Sequence, residues 1–382
     1  MTGTFHPEPG GPPTYLYHLL PELAARGHSP RVVTYGDPTP AHDYPYPVTR
    51  ITRQQPIPKR LLAMTREVLR QGRDADVLFA SDYGLPAALA NLWLRKPLAL
   101  KVVSDFAWEF SVRHGWVPRQ TTMDAFQVGR YGPRVGLLRA VQRAYVSAAR
   151  RVIVPSRYIE SVVTGWGLNA HRIQVIYNAP QLAAYEDLPD KAALRAELGF
   201  EGAVIVCVAR LTAWKGVGGL IRALGEVRGA VPGAQLRILG DGPERARLEA
   251  LAGELGLREQ VHFAGQVPRE TVARTLRAAD VFALFSTYEG LPHVVLEAMA
   301  AGTPVVASAA GGTPETMRDG ESGLLVPVGD EGALVEALVG VLTEPALARR
   351  LVEGGRVELA RFSMETMVAQ TEALLREVAH ER

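Results

Sequence analysis

With one cysteine, Cys207, in 382 residues, the chain can form no internal disulfide, and the setting of Cys207 in an apolar run reads as core packing. No apolar stretch approaches the ~18 residues that a membrane-spanning helix needs, and the N-terminus lacks the apolar centre of a signal peptide. Both absences lead to the expectation of a cytoplasmic protein. The nine histidines are scattered, and no His/Cys/Asp cluster stands at metal-ligand spacing, so no metal is expected. Neither a fixed-period repeat nor a low-complexity tract is present. The third glycine of a dinucleotide fingerprint is missing too: Gly240-Asp241-Gly242-Pro243-Glu244 continues with Arg245, which argues against a nicotinamide dehydrogenase.

What is present begins with charge. The net +2 hides a division, since residues 1–180 hold 22 basic and 12 acidic side chains and residues 181–382 hold 20 and 28, giving +10 and −8. Residues 111–157 carry nine arginines against one acid, Asp124, interleaved with Trp116, Phe126, Tyr131 and Tyr145. Such a surface suits the anionic face of a membrane or a phosphate-bearing acceptor, and a plain solvated face is the alternative. Nucleic acid is not expected as a partner, because no recognition motif accompanies the charge.

Strand and helix patterns alternate from end to end, with strands read at residues 30–35, 76–80, 98–103, 151–154 and 174–176 and helices at 58–72 and 134–149. A helix opened by Gly10-Gly11 carries Leu16, Leu19, Leu20 and Leu23 at helical spacing, and Pro21 inside it predicts a kink or break. Residues 203–209 form an apolar run typical of a parallel strand buried on both faces, followed at once by Arg210 and then Lys215-Gly216. Ligands of open α/β sheets bind outside the carboxyl ends of the strands, where these two cations suit a leaving diphosphate. Residues 235–239 read as a further strand ending in Gly240-Asp241-Gly242-Pro243, small residues that admit a ligand to the backbone. Residues 281–285 read as another strand, and Pro292 suits the first position of the next helix. Glu289 then lies in the loop and Glu297 about one and a half turns into the helix, flanking an N-terminus that favours anions.

The ordered series Val208-Ala209-Arg210-Leu211 with Lys215-Gly216, Leu239-Gly240-Asp241-Gly242-Pro243-Glu244, Phe263-Ala264-Gly265, Ser286-Thr287-Tyr288-Glu289-Gly290-Leu291-Pro292 with Glu297-Ala298, and Gly311-Gly312-Thr313-Pro314-Glu315 resembles glycosyltransferase family 4. The resemblance covers essentially the whole chain and is densest over residues 203–328. It implies an α/β GT-B fold, two Rossmann-like domains facing a central cleft, and a retaining, metal-independent transfer from a nucleotide-diphosphate sugar of UDP or GDP type to a glycan or lipid-linked acceptor. It further implies that Arg210 and Lys215 bind the donor diphosphate, Glu297 holds the ribose and Glu289 lies beside the transferred sugar. Asp241, Gly242 and Val267 would border the nucleotide, Gly290, Leu291 and Pro292 the same site, and Gly11 the diphosphate from the glycine-rich turn. No donor-side nucleophile is evident, so the expected route is a same-face reaction in which the leaving diphosphate helps deprotonate the acceptor. A nucleotide-sugar isomerase of the same architecture and a binding protein without turnover are the other readings; the first lacks its group's motifs, and the second would be expected to lose Lys215 or Glu289.

Domain one is expected over residues 1–180, domain two over 181–362, and a last helix in 363–382 crossing back to domain one. The acceptor side is assigned to Ser104-Asp105-Phe106-Ala107-Trp108-Glu109 at a strand end. Many family members carry histidine near this place and Ser104 stands here, so Asp105 or Glu109 becomes the polar contact and Trp108 a sugar-stacking ring. The alternatives are that Asp105 caps the next helix and that Trp108 is core. Finally, Met1-Thr2-Gly3-Thr4-Phe5 reads as the end of the family's central first strand, so a start several residues upstream and a gap in the first sheet are expected.

Overall fold

The computed structural model describes residues 1–8, 10–37 and 44–380. The chain divides into two compact units, Met1–Asn178 with Met364–Arg382, and Ala179–Ser363.

In the first unit the strands are β1 (Val32–Tyr35), β2 (Val48–Ile51), β3 (Leu78–Ser81), β4 (Leu98–Lys101), β5 (Arg151–Val154) and β6 (Ile173–Val175). Its helices are α1 (Gly11–Ala25), α2 (Ile57–Gln71), α3 (Leu85–Leu94), α4 (Phe106–Arg113), α5 (Met123–Val128), α6 (Pro133–Ala148) and α7 (Arg157–Gly165). The second unit holds helices α8 (Ala183–Glu186), α9 (Lys191–Leu198), α10 (Val217–Ala230), α11 (Arg245–Glu254), α12 (Arg269–Ala278), α13 (His293–Ala300), α14 (Glu331–Thr343) and α15 (Pro345–Leu359). Its strands are β7 (Val204–Val208), β8 (Gln235–Leu239), β9 (Val261–Gly265), β10 (Val281–Leu284), β11 (Val305–Ser308) and β12 (Leu324–Val326). The chain then returns to the first unit with α16 (Met364–His380).

In the first unit β1 pairs with β2, and β3, β4, β5 and β6 form a parallel row. Thr2 joins the two groups, bridging Thr34 on one side and Ser81 on the other. Thr2 N donates to Val33 O at 3.0 Å and Ser81 N to Met1 O at 2.9 Å, so two residues occupy the place between β1 and β3. Of the kink or break read at Pro21, the break is absent, since α1 runs on through it to Ala25. The helix is held by burial of Tyr15, Leu16, Leu19, Leu20 and Leu23, which outweighs one missing donor.

Helix α16 docks on the same unit by burying Met367, Val368, Thr371, Leu374 and Val378. The hydroxyls of Thr371 and Tyr15 lie 3.2 Å apart, and Glu372 accepts from Arg26 and His28, each at 2.9 Å. Under the Tyr15 ring lies Lys101, fully buried, with Nζ 3.6 Å from the ring centroid and 2.7 Å from Asn178 Oδ1. Desolvation holds its amine well below the usual lysine range.

The second unit is one parallel sheet ordered β12-β11-β10-β7-β8-β9. Its central strands are fully buried apolar runs, as strands covered by helices on both faces must be. The order reverses between β7 and β10, paired at Val281↔Ile205 and Phe282↔Val206, so the loops leaving these two strands diverge and open a crevice at their carboxyl ends.

Candidate functional site

The second unit gathers most of the candidate residues at that switch point. After β7 the chain passes Arg210 and a single 3-10 turn, Ala213–Lys215, before Gly216 starts α10 in a left-handed conformation with φ 63°. A Cβ on Gly216 would stand 1.8 Å from the Phe285 carbonyl oxygen, so the turn after β7 and the end of β10 touch backbone to backbone. Thr287 N donates to Trp214 O at 2.7 Å and locks the two loops in register.

That lock brings Lys215 to Glu289, Nζ to Oε1 at 2.6 Å. The Ser286 hydroxyl donates to the same carboxylate oxygen at 2.6 Å, and Gly312 N donates to the Glu289 carbonyl at 2.8 Å. Ser308 Oγ in turn donates to Ser286 O at 2.5 Å. Glu289 is buried and Lys215 about one fifth exposed, so a charge pair sits at the mouth of the crevice. The sequence separates these two residues into a diphosphate contact and a sugar contact, whereas here they hold each other. Arg210 is exposed and carries no ion pair among the described residues. Its guanidinium is the free cation of the cluster.

On the other side of β7 the loop after β8 is stapled to the loop after β7, with Leu211 N on Asp241 O at 3.0 Å and Glu244 N on Leu211 O at 3.1 Å. Cβ atoms added at Gly240 and Gly242 would fall 2.0 Å from Ala209 O and 2.4 Å from Leu211 O. On the side that a Cβ would occupy, the backbone at these glycines is met by the neighbouring loop, which by itself requires glycine at both positions. Asp241 is exposed, accepting from Gly242 N at 2.7 Å, and Val267 lies half-buried in the loop after β9.

Pro292 is the N-cap of α13 and not its first residue, one place earlier than expected. Leu291 and Pro292 are buried and Gly290 half-buried ahead of the helix. Glu297 lies in the second turn, where desolvation pushes its carboxyl up and Arg269 pulls it back. Tyr185 feels the Glu297 charge as well, and its phenol is raised mainly by burial.

In the first unit Gly11 opens α1 behind Gly10, the N-cap. The acceptor-side assignments change most. Asp105 is 1% exposed, and its carboxylate is filled by the Trp108 N–H at 2.9 Å, Gln127 Nε2 at 2.7 Å and Gln142 Nε2 at 3.0 Å. It is the buried N-cap of α4, so the polar contact read at Asp105 gives way to the alternative, a structural cap. Trp108 is equally buried and donates its indole N–H to Thr121 O at 2.9 Å, so it is core rather than a stacking platform. Glu109 remains half-exposed, taking the Ser104 hydroxyl and lying 3.7 Å from Arg113.

Two residues escaped the sequence reading. Ser286 reads as one polar residue among several, and only its hydrogen bond to Glu289 gives it a role. Asp82 follows β3 directly with φ 73°, a left-handed conformation rare outside glycine, and donates its N–H to Lys101 O at 2.9 Å. Burial and the Glu109 carboxylate push the Asp82 carboxyl up to about 7, against the pull of Arg113. The available signal was an aspartate at a strand's carboxyl end just before Gly84.

Comparison with known proteins bears on both units. A family model described as Glycosyltransferase Family 4 matches residues 9–182, and one described as Glycosyl transferases group 1 matches residues 190–358. The phosphatidyl-myo-inositol mannosyltransferase of Mycobacterium leprae is 30% identical over 381 residues, 95% of this chain and 91% of that one. A GDP-mannose-dependent alpha-(1-6)-phosphatidylinositol monomannoside mannosyltransferase of Mycolicibacterium smegmatis is 40% identical over 177 residues, 44% of this chain and 46% of that protein. Several relatives are thus matched over only about half of their length. The crystal structure of Anabaena HepE in complex with UDP and glucose superposes with a TM-score of 0.80 at 23% identity, covering 98% of each chain. The two parallel α/β units are accordingly the two Rossmann-like domains of a GT-B fold. With both family models matched and a relative aligned almost end to end, this chain belongs to glycosyltransferase family 4.

Proposed function

We propose that the chain is a retaining glycosyltransferase that moves a sugar from a UDP- or GDP-linked donor to a glycan or lipid-linked acceptor, in the synthesis of cell-surface polysaccharide or glycolipid. The observation that carries this reading is the cluster of Lys215, Glu289 and Ser286 beside Arg210, at the switch point of the second sheet and ahead of α13. Charge develops on the diphosphate as the sugar leaves. Lys215, Arg210 and the N-terminal dipole of α13 supply fixed positive charge there, so the reading needs no metal. Glu289, held by Lys215 and Ser286, borders the departing sugar, and Glu297 accepts the ribose hydroxyls. Relatives whose names specify GDP-mannose and phosphatidylinositol support a donor and acceptor of these classes. The arginines of residues 111–157, with Trp116, Val128 and Leu137 exposed among them, support peripheral contact with an anionic membrane at its inner face. Among the described residues no helix is long and apolar enough to cross a membrane.

The test is thermal-shift screening with UDP, GDP, ADP and their sugars, since a ligand at a hundred times its Kd stabilises by about 2.7 kcal/mol. Kinetics in the presence of EDTA follow. Lys215→Ala and Arg210→Ala should lower turnover more than donor affinity, because their charge is needed most as the diphosphate leaves, and Glu297→Ala should mainly weaken donor binding. No shift with any nucleotide, or equal effects of all three substitutions on both parameters, refutes the assignment.

A further inference from the structure

Lys215 and Glu289 suit two different parts of a sugar nucleotide, yet in the fold each holds the other. Both donors to the Glu289 carboxylate, Lys215 Nζ and Ser286 Oγ, fall on Oε1, each at 2.6 Å, and Oε2 accepts from no described residue. The carboxylate is the fixed half of the pair. Its side chain is 8% exposed, its main-chain carbonyl takes Gly312 N at 2.8 Å, and the carbonyl of Ser286 is held in turn by Ser308 Oγ at 2.5 Å. Lys215 is the half that can move, since its side chain is 21% exposed and its ammonium ends a flexible four-carbon stem.

A donor would act on both halves at once. Its diphosphate competes with Glu289 for the Lys215 ammonium, a charge-assisted bond to oxygen in either case. Once Lys215 turns to the diphosphate, Glu289 keeps one donor, Ser286, and a buried carboxylate short of donors is costly. A Lys215 that bridged the two instead would hold a carboxylate and a diphosphate against each other's charge. The sugar of a sugar nucleotide makes good the loss, because its hydroxyls can donate to Oε2. A free nucleoside diphosphate has no hydroxyl on that side of its phosphates and leaves the carboxylate short.

We propose that the Lys215–Glu289 pair discriminates substrate from spent nucleotide: it yields to the sugar nucleotide and opposes the free nucleoside diphosphate, with Ser286 the positioning residue that keeps the carboxylate in place while Lys215 is exchanged. The proposal rests on the glycosyltransferase reading above and adds regulation of its donor site. When the sugar passes to the acceptor, its hydroxyls leave Glu289, Glu289 takes back Lys215, and the diphosphate loses a cation that held it. Release of the nucleotide, a step that limits many enzymes, is thereby tied to completion of the transfer.

Calorimetric titration of the full chain with UDP, GDP and ADP, and with UDP-glucose, GDP-mannose and ADP-glucose, tests it on two substitutions. Glu289→Gln keeps the shape of the side chain and removes the charge that competes for Lys215. The free nucleotide should then bind about tenfold tighter than to the unaltered protein, an arm that needs no knowledge of the sugar. Ser286→Ala takes away the donor that remains when Lys215 turns, so the free nucleotide should bind about tenfold more weakly and the sugar nucleotide should lose less. The opposite signs separate the exchange from a mere loss of negative charge beside the diphosphate, which gives a gain for Glu289→Gln and no change for Ser286→Ala. Free-nucleotide binding that is unchanged or weaker in Glu289→Gln overturns the proposal, as does Ser286→Ala binding the free nucleotide as tightly as the unaltered protein. Equal losses for nucleotide and sugar nucleotide in Ser286→Ala mean a merely structural role and overturn it as well. An unaltered protein that binds none of the six ligands refutes the donor reading itself, and the proposal falls with it.

Discussion

Gly216 and Gly199 share one backbone conformation, φ 63°, in the same unit, yet their surroundings differ completely. A Cβ at Gly199 meets nothing within 4 Å, whereas at Gly216 it would stand 1.8 Å from Phe285 O and 2.8 Å from Phe285 C. The first substitution therefore isolates the cost of left-handed backbone, about 1–2 kcal/mol, offset by the entropy that alanine removes from the unfolded chain, about 0.4–1 kcal/mol. Gly199→Ala should lose about 1 kcal/mol. Gly216→Ala adds a clash that no rotamer relieves, because both partners are backbone and about 1.5 Å of movement is needed to reach ordinary contact. That movement breaks the Thr287 N to Trp214 O bond and parts Lys215 from Glu289. The total is about 3–5 kcal/mol. With a urea m-value of about 2 kcal/mol/M, the midpoint of the second unit falls by about 2 M for Gly216→Ala and about 0.5 M for Gly199→Ala. Gly216→Ala should also abolish the nucleotide-induced thermal shift, which Gly199→Ala keeps. Matching midpoints for the two variants refute the backbone contact between the β7 turn and the end of β10.

Three further outcomes are expected. Asp105→Asn should cost about 2–3 kcal/mol by turning an amide toward the Gln127 or Gln142 donors, so the first unit melts earlier while nucleotide binding persists; unchanged melting with lost transfer would return Asp105 to the acceptor site. Glu297→Gln should stabilise the protein at pH 8 and much less at pH 4.5. The folded carboxyl is raised, so the folded state holds its proton longer and the charged form weakens the fold as pH climbs past the ordinary carboxylate range. Melting of both proteins across that range checks the sign, and a gap that closes at high pH contradicts it. Burial pushes the Cys207 thiol up to about 12, so a disulfide reagent at pH 8 should label it only at the rate of unfolding, and rapid labelling of the folded chain would place it outside the core.

What the sequence made legible follows from how local the encoding is. Val204–Val208 reads as a buried parallel strand because helices cover both faces, which requires an unbroken apolar run. The positions of Lys215, Glu289 and Glu297 were legible because a strand end, a tight turn and a helix start lie within a few residues of one another. At Gly240 and Gly242 the sequence shows only that small residues are needed, and the contact that requires them, with Ala209 O and Leu211 O of a second loop, is visible only in the fold. Asp105 was misread for a related reason: whether a carboxylate after a strand is a cap or a contact depends on Gln127 and Gln142, 22 and 37 residues away. The same logic explains the contrast between the units. In the second, neighbouring chain segments and fixed backbone shape the candidate diphosphate site, so short motifs specify it. In the first unit the Tyr83 and Phe106 rings meet at 4.9 Å across more than twenty residues, and each ring alone is compatible with core. A site assembled from single side chains on separate loops leaves no local pattern to read, however firmly the folded chain holds it.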